Sequence, residues 1–315
     1  ATPGVTGRYS NQLSYNRPLH VPGHPEAFGC NMAGALRRQA RFGGNLKNFD
    51  LGRFANFCST SCRLNGPARP CLVARDLEGG EHMHIGLIGG IGVAASLVYY
   101  QRLAAAVEAR GATLCMTLSH GDIQTLIKNN LADARAPQAE IFAQQVAELK
   151  AAGCEVAALT SLGAHYCFEE LAAISPLPLI SAVTPLDSYF ASRGVQRVGL
   201  LGTRVVMRTR LYGQLTQTEA VALDEEIETL GQAYQEVAVA GRCTEAQRQV
   251  FIDAGRRMVE DLGAEAIVLA GTDLNLAFDG QNPGFEVIDA LDVHVELLAQ
   301  LAADEIGLDE VCGRA

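Results

Sequence analysis

The sequence predicts an α/β protein made of two similar lobes, and three observations carry that expectation. From Met83 onward, short apolar runs alternate with amphipathic stretches, the order of βα units around a parallel sheet. The segment IGLIGG is echoed later by VGLLGT, which places Gly86 and Gly199 113 positions apart. Thr160 and Thr272, each just past an apolar run, lie 112 positions apart, so one internal duplication accounts for both offsets. The expected architecture is two pseudo-symmetric Rossmann-like lobes, each a mainly parallel sheet flanked by helices. Their C-terminal strand ends face one cleft, where open parallel sheets bind ligands.

Taken in order, strands are expected at 84–90 (HIGLIGG), 113–119 (TLCMTLS), 156–161 (VAALTS) and 177–181 (LPLIS) in a first lobe of residues 83–183. A second lobe, 184–293, repeats them at 197–203 (RVGLLGT), 225–230 (EEIETL), 266–271 (AIVLAG) and 285–289 (FEVID). Helices fill the gaps. In APQAEIFAQQVAELKAAG, Pro137 suits a first turn, apolar residues recur at three and four, and Gly153 stops the helix. AQRQVFIDAGRRMVEDLG is its later counterpart. Residues 294–315 read as a C-terminal helix and tail that pack back on the first lobe.

Composition bounds the function classes. The 315 residues are 48% hydrophobic, enough for a large core. No apolar run approaches the roughly 20 residues that span a bilayer, and no signal pattern opens the chain, so a cytoplasmic protein without a membrane partner is expected. Nine cysteines at uneven spacing read as free thiols rather than a disulfide framework. Cys58, Cys62, Cys71 and His82 lack the second closely spaced pair that a zinc site needs, so no metal is expected. Residues 1–82 carry ten Lys and Arg against five Asp and Glu, scattered without periodicity. They read as a poorly ordered extension rather than a nucleic-acid surface, and Met83, immediately before the first strand, is where a native chain could begin.

The candidate chemistry sits on the turns. Gly90, Gly92 and Ala95 satisfy the glycine pattern of a dinucleotide site, but the next strand ends in Ser119 and His120 rather than an acidic ribose ligand. Such a turn still presents N–H groups to a carboxylate. AALTSLGAHYCFEEL places Thr160, Ser161, Gly163 and His165 at another strand-to-helix turn, and VLAGTDLNLAF matches it with Thr272 and Asp273.

Four segments carry a resemblance: IGLIGGIGVAASLVYYQRL, LKAAGCEVAALTSLGAH, VGLLGTRVVMRTRLYGQL and LGAEAIVLAGTDL. In order and spacing they resemble the landmarks of the aspartate/glutamate racemase superfamily, over residues 83 to about 300. The resemblance implies an active site between two lobes, usually in a homodimer, with no pyridoxal phosphate, other cofactor or metal. It implies an amino-acid racemase in which one thiolate removes the α-proton and a facing thiol returns one.

Here the two thiol positions are Thr160 and Thr272, the expected proton-transfer residues, and a hydroxyl needs a neighbouring base to act. His165 and Asp273 are the obvious helpers, and His294 aligns with a histidine that family members often carry near the site; each also has a packing or capping reading. Gly90, Ser119, Ser161 and Thr203 are expected to help hold a small carboxylate or amino-acid substrate. Gln124 and Val239 stand where acidic-substrate members carry Arg and Lys, leaving Arg204, Arg208 or Arg210 to reach a distal carboxylate. Cys154 and Cys167 read as inert core thiols. Beside the isomerase stand two alternatives, a non-catalytic carboxylate-binding or regulatory protein, and a lyase or decarboxylase on the same fold.

Overall fold

A computed structural model describes residues 82–90 and 92–312. The expectations for the N-terminal extension and for Cys58, Cys62 and Cys71 fall outside the described residues.

Two four-stranded parallel sheets organise the chain. In the first, β1 (His84–Gly89) lies between β2 (Cys115–His120) and β3 (Val156–Leu159), and β4 (Leu179–Ile180) forms the edge beyond β3. In the second, β5 (Arg197–Gly202) lies between β6 (Glu219–Val221) and β7 (Ala266–Ala270), with β8 (Val287–Asp289) beyond β7. The two orders, 2-1-3-4 and 6-5-7-8, are one topology used twice, but the expected 112-residue equivalence of Thr160 and Thr272 is wrong: Ile85 pairs with Val156 and Val198 with Ala266, so a 113-residue offset of β1 and β5 goes with a 110-residue offset of β3 and β7, and Thr160 corresponds to Ala270.

Helix α1 (Val93–Ala109) follows β1, and α2 (Ile123–Leu131) with α3 (Arg135–Ala151) follows β2. A 3-10 turn, Leu162–Cys167, joins β3 to α4 (Phe168–Ile174), and α5 (Pro185–Ser192) leads into the second sheet. There α6 (Arg204–Thr209) follows β5, and α7 (Ile227–Ala240) and α8 (Glu245–Leu262) lie between β6 and β7. The short α9 (Asn275–Phe278), then α10 (Ala290–Ala302) and α11 (Leu308–Val311), complete the chain. Gly153 and Gly263 sit at positive φ just past α3 and α8, where a left-handed residue ends a helix.

Strand periodicity sorts the first core. Ile85, Leu87, Val156 and Ala158 face Tyr99, Leu103 and Val107 of α1 and Leu291, Val295 and Leu298 of α10. Ile88, Ala157 and Leu159 face Phe142, Val146 and Leu149 of α3 on the other side. The C-terminal helix α10 therefore packs on the first sheet.

One expected strand is wrong. Residues 225–230 are the end of a 3-10 turn, Asp224–Glu226, and the start of α7, and the strand is Glu219–Val221. Ile227, Leu230 and Tyr234 are buried at spacings of three and four, a helical period that outweighs the alternation of EEIETL. The strand expected at 177–181 shrinks to Leu179–Ile180, an edge pair.

Candidate active site

The C-terminal ends of β1, β3, β5 and β7 meet in a seam between the lobes. Thr160 follows β3 and is 2% exposed; its hydroxyl donates to Ile88 O at 3.0 Å and its N–H to the same carbonyl at 3.1 Å. Thr272 follows β7 and donates its hydroxyl across the seam to Thr160 O at 3.2 Å. The two threonines, though not equivalent by register, are thus in direct contact, and both hydroxyl protons are engaged by carbonyls.

Asp273, 2% exposed, reaches further across. Its Oδ1 accepts from Ala95 N–H in the first turn of α1 at 3.2 Å, and its Oδ2 accepts from Tyr234 OH at 3.3 Å. A Cβ on Gly92 would overlap this carboxylate, so the glycine is what lets the turn after β1 approach it. Burial raises the Asp273 carboxyl to about 6, against the two donors that favour its anion. Burial also puts the Tyr234 hydroxyl well above its ordinary value, with the Asp273 charge adding to it.

A second glycine contact lies on the other half of the seam. A Cβ on Gly163 would stand 2.7 Å from Thr203 Cγ2. Tyr212 OH donates to Leu162 O at 2.8 Å beside it, and the Thr203 hydroxyl caps α6 by accepting from Val206 N–H at 3.4 Å.

A cleft of about 570 Å³, counting its solvent-open mouth, lies along this seam. On the first lobe it is walled by Ile123, Leu126, Ile127, Asn130 and Leu131 of α2, together with Ser161 and Gly163. Thr203 and Arg204 close it from the second lobe, with Gly231, Tyr234, Gln235 and Ala238 of α7. The Arg204 stem lies across Gly231, where a Cβ would overlap its Cγ. Its guanidinium donates to Glu228, Gln235 and Gln232 at 3.1, 2.9 and 2.6 Å, so its charge is already paired.

The remaining expected residues are dispersed. Gly90, at φ +82, gives its N–H to Ser96 Oγ at 2.7 Å and packs against His120. His165, within the 3-10 turn, is buried: Nε2 accepts from Ala182 N–H at 3.0 Å, which leaves Nδ1 to donate to Ser161 O at 2.9 Å. Burial lowers it to about 4, and neither nitrogen is free to take a proton from Thr160. His294 is inside the first lobe at 0% exposure, bonded through Nδ1 to Tyr99 OH at 2.9 Å and lowered by burial to about 3. Ser119 Oγ accepts from Gln145 at 3.1 Å and Gln124 is exposed, neither of them in the wall of that cleft, whereas Val239 of α7 lines a second hollow between the lobes with Gly90, Val93 and Ile123. Cys167 is buried, its thiol pushed up to about 12, and Cys154 is buried and raised as well. Arg208 and Arg210 pair with Glu228 and Asp224 at the surface. Among the described residues no three His, Cys, Asp or Glu side chains gather in a way that could hold a metal ion.

The family model described as Asp/Glu/hydantoin racemase matches residues 88–298, two thirds of the chain and nearly all of both sheets. The chain belongs to the Asp/Glu/hydantoin racemase family. Solved racemase-family structures share its fold. A candidate Asp/Glu racemase from Yersinia pestis superposes with a TM-score of 0.60 at 23% identity, covering 70% of this chain and 99% of that one. An aspartate racemase homologue from Pyrococcus horikoshii gives 0.57 at 23% identity, over 70% and 98% of the two chains. Picrophilus torridus aspartate racemase gives 0.56 at 17% identity, over 70% and 94%.

The residues that sequence reasoning missed in this racemase-family cleft are Asn130, Gln235 and above all Tyr234. For Tyr234 and Gln235 the signal was the helical period of residues 227–240, obscured by the misplaced strand at 225–230; Asn130 lies on α2.

Proposed function

We propose that the protein is an isomerase of the amino-acid racemase type, which removes and returns a proton at the carbon next to a carboxylate of a small substrate in the interlobe cleft. The observation that carries this reading is the contact of the two duplicated strand-end turns, Thr272 Oγ1 on Thr160 O, beside a cleft walled by both lobes. Family membership supports the reaction class. The apolar face that α2 gives the cleft supports testing substrates with alkyl or aryl side chains as well as acidic ones. A homodimer in the cytoplasm, acting without a bound cofactor, belongs to the same proposal.

The test is α-hydrogen exchange in D₂O, followed by NMR on single enantiomers of aspartate, glutamate, alanine, leucine and phenylalanine. Enzyme-dependent exchange with any of them, accompanied by formation of its antipode, supports the reading. A panel in which no α-hydrogen exchanges while one amino acid raises the melting temperature refutes it in favour of a non-catalytic binding protein. That alternative is favoured by one observation, that neither threonine hydroxyl touches a base.

A further inference from the structure

The proposed isomerase reading requires a group that can hold a proton at the seam, and the threonines do not supply one. A hydroxyl acts as a proton acceptor only when an adjacent base takes its own proton. Thr160 gives that proton to Ile88 O and Thr272 gives its to Thr160 O. His165, one turn from Thr160, has both nitrogens bonded to backbone.

We infer that the proton-transfer group of the second lobe is the Asp273 carboxyl group rather than the Thr272 hydroxyl, and that the first lobe's turn supplies no partner for it. The inference rests on the proton removal in the isomerase reading and departs from it in outcome, because one base on one face gives exchange without inversion. Asp273 is adjacent to Thr272 in the duplicated turn, 2% exposed, and projects across the seam onto Gly92 and the first turn of the 17-residue helix α1. Its other oxygen takes the hydroxyl of Tyr234, whose side chain forms part of the cleft wall. A substrate carboxylate entering the seam competes for the Ala95 N–H that Asp273 now holds. The displaced carboxyl group is then left beside the substrate's α-carbon.

The step balances without a co-reactant. The Cα–H bond breaks, its proton forms an O–H bond on Asp273, and the electron pair delocalises into the substrate carboxylate as an enediolate. The Asp273 O–H proton exchanges with solvent water, and return of that solvent-derived proton from the same oxygen regenerates Cα–H and the carboxylate. Because proton removal and return use one group, the new hydrogen arrives on the face the old one left. The reaction expected is exchange with retained configuration, not racemisation.

The surroundings of Asp273 define its pH behaviour. Tyr234 from α7 is the titratable group in contact with it; α1 brings Gly92 and the Ala95 N–H, and the neighbouring Thr272 brings a hydroxyl. A carboxyl raised to about 6 is ionised and still basic near neutrality, the range in which general bases work best.

The test is the same exchange assay, with chiral chromatography added, on the full chain, Asp273→Asn and Asp273→Ala. Wild-type protein is expected to put deuterium into one enantiomer without accumulating its antipode, at a rate that falls as pH drops through about 6. Asp273→Asn should lower the exchange rate about 10²- to 10⁴-fold, as loss of a general base does. Sodium formate should restore exchange to Asp273→Ala in proportion to its concentration, which a merely structural role would not produce. Exchange that persists in Asp273→Asn, a pH profile flat from 5 to about 7.5, or deuterated antipode formed as fast as exchange overturns the inference and leaves the isomerase reading standing. No exchange by wild-type protein with any probe overturns both.

Discussion

Replacing Asp273 by Asn should stabilise the protein at neutral pH and barely change it in acid. Burial lifts this carboxyl from an ordinary 3.8 to about 6. At about 1.4 kcal/mol per pH unit, ionising it in the native state costs about 3 kcal/mol. The sign follows from which state binds the proton more tightly. Below about pH 3.8 both states are protonated and the residue contributes nothing. Between 3.8 and 6 the native state keeps a proton that the unfolded chain has lost, so raising the pH through this window favours unfolding. Above 6 the whole penalty applies. Asn has nearly the same shape, its amide oxygen can accept the Ala95 N–H, and it has no charge to bury. Urea unfolding of both proteins from pH 4 to 8 should show Asp273→Asn gaining about 3 kcal/mol relative to wild type across that range, with m-values unchanged. Asp289, also raised to about 6 by burial, is present in both proteins and cancels from the comparison. A gap that does not depend on pH, or a wild type that is the more stable at pH 8, would refute the reasoning. A gain of this size, forgone by the natural chain, is the kind of trade found where a destabilising group performs a function.

Three further outcomes follow from the same geometry. His165 and His294, lowered by burial to about 4 and about 3, should both remain neutral at pH 5 in histidine-detected NMR. The stability they confer is complete above the unfolded value near 6.5 and is lost as pH falls through their folded values, about 3 kcal/mol from His165 alone, so acid unfolding should be steep below pH 5. Arg102→Met removes the partner of Asp289, whose side chain is 10% exposed, and also frees Asp279 and Asp292. Guanidinium unfolding should show a loss of about 2–3 kcal/mol, short of a fully buried pair because the Arg102 side chain is 25% exposed. Gly231→Ala in the middle of α7 would ordinarily gain about 1 kcal/mol of helix propensity. Because its Cβ meets the Arg204 stem, and stands 3.3 Å from Arg204 N, it should instead lose about 1–2 kcal/mol, and a melting temperature above wild type would show that the stem moves aside freely.

The fold was legible where local pattern and tertiary burial agree. β1, β5 and β7 are buried on both faces and read as continuous apolar runs, so the duplicated frame was visible. The strand at 225–230 was misread because Glu226, Ile227, Glu228 and Thr229 alternate like a half-buried strand, whereas the burial of Ile227, Leu230 and Tyr234 follows the helical period. The candidate site was legible only as a set of turns that the fold brings together: Thr160, Ser161, Thr203, Thr272 and Asp273 all come to the seam. What residue types could not reveal is where each polar group spends its hydrogen bonds. His165 looks like a base one turn from Thr160, yet two backbone groups, Ser161 O and Ala182 N–H, the latter 17 positions on from the histidine, claim both ring nitrogens. Gln124 occupies a landmark position in the sequence, yet it points away from the cleft while Leu126 and Asn130 on the same helix line it.

The duplication makes one comparison available that a single-lobed site would not. The turn after β1 touches the turn after β7 at Gly92 and Asp273, and the turn after β5 touches the turn after β3 at Thr203 and Gly163. The pseudo-twofold relation exchanges these two contacts, so backbone symmetry is kept where chemical symmetry is lost. One contact holds a buried carboxyl group with a hydroxyl and an N–H directed at it; the other holds a threonine methyl against a glycine. A two-base racemisation needs an ionisable group on each side of the substrate, because the proton removed from one face must be replaced from the other. With His165 committed to backbone and Thr160 bonded to a carbonyl, the turn after β3 has hydroxyls and N–H groups to offer, which can hold a carboxylate and stabilise an enediolate but cannot trade protons at neutral pH. If the protein performs proton transfer at this seam, the asymmetry of these two contacts therefore fixes its stereochemistry. The hydrogen leaves toward Asp273 and returns from it, and the antipode is the product that should not form.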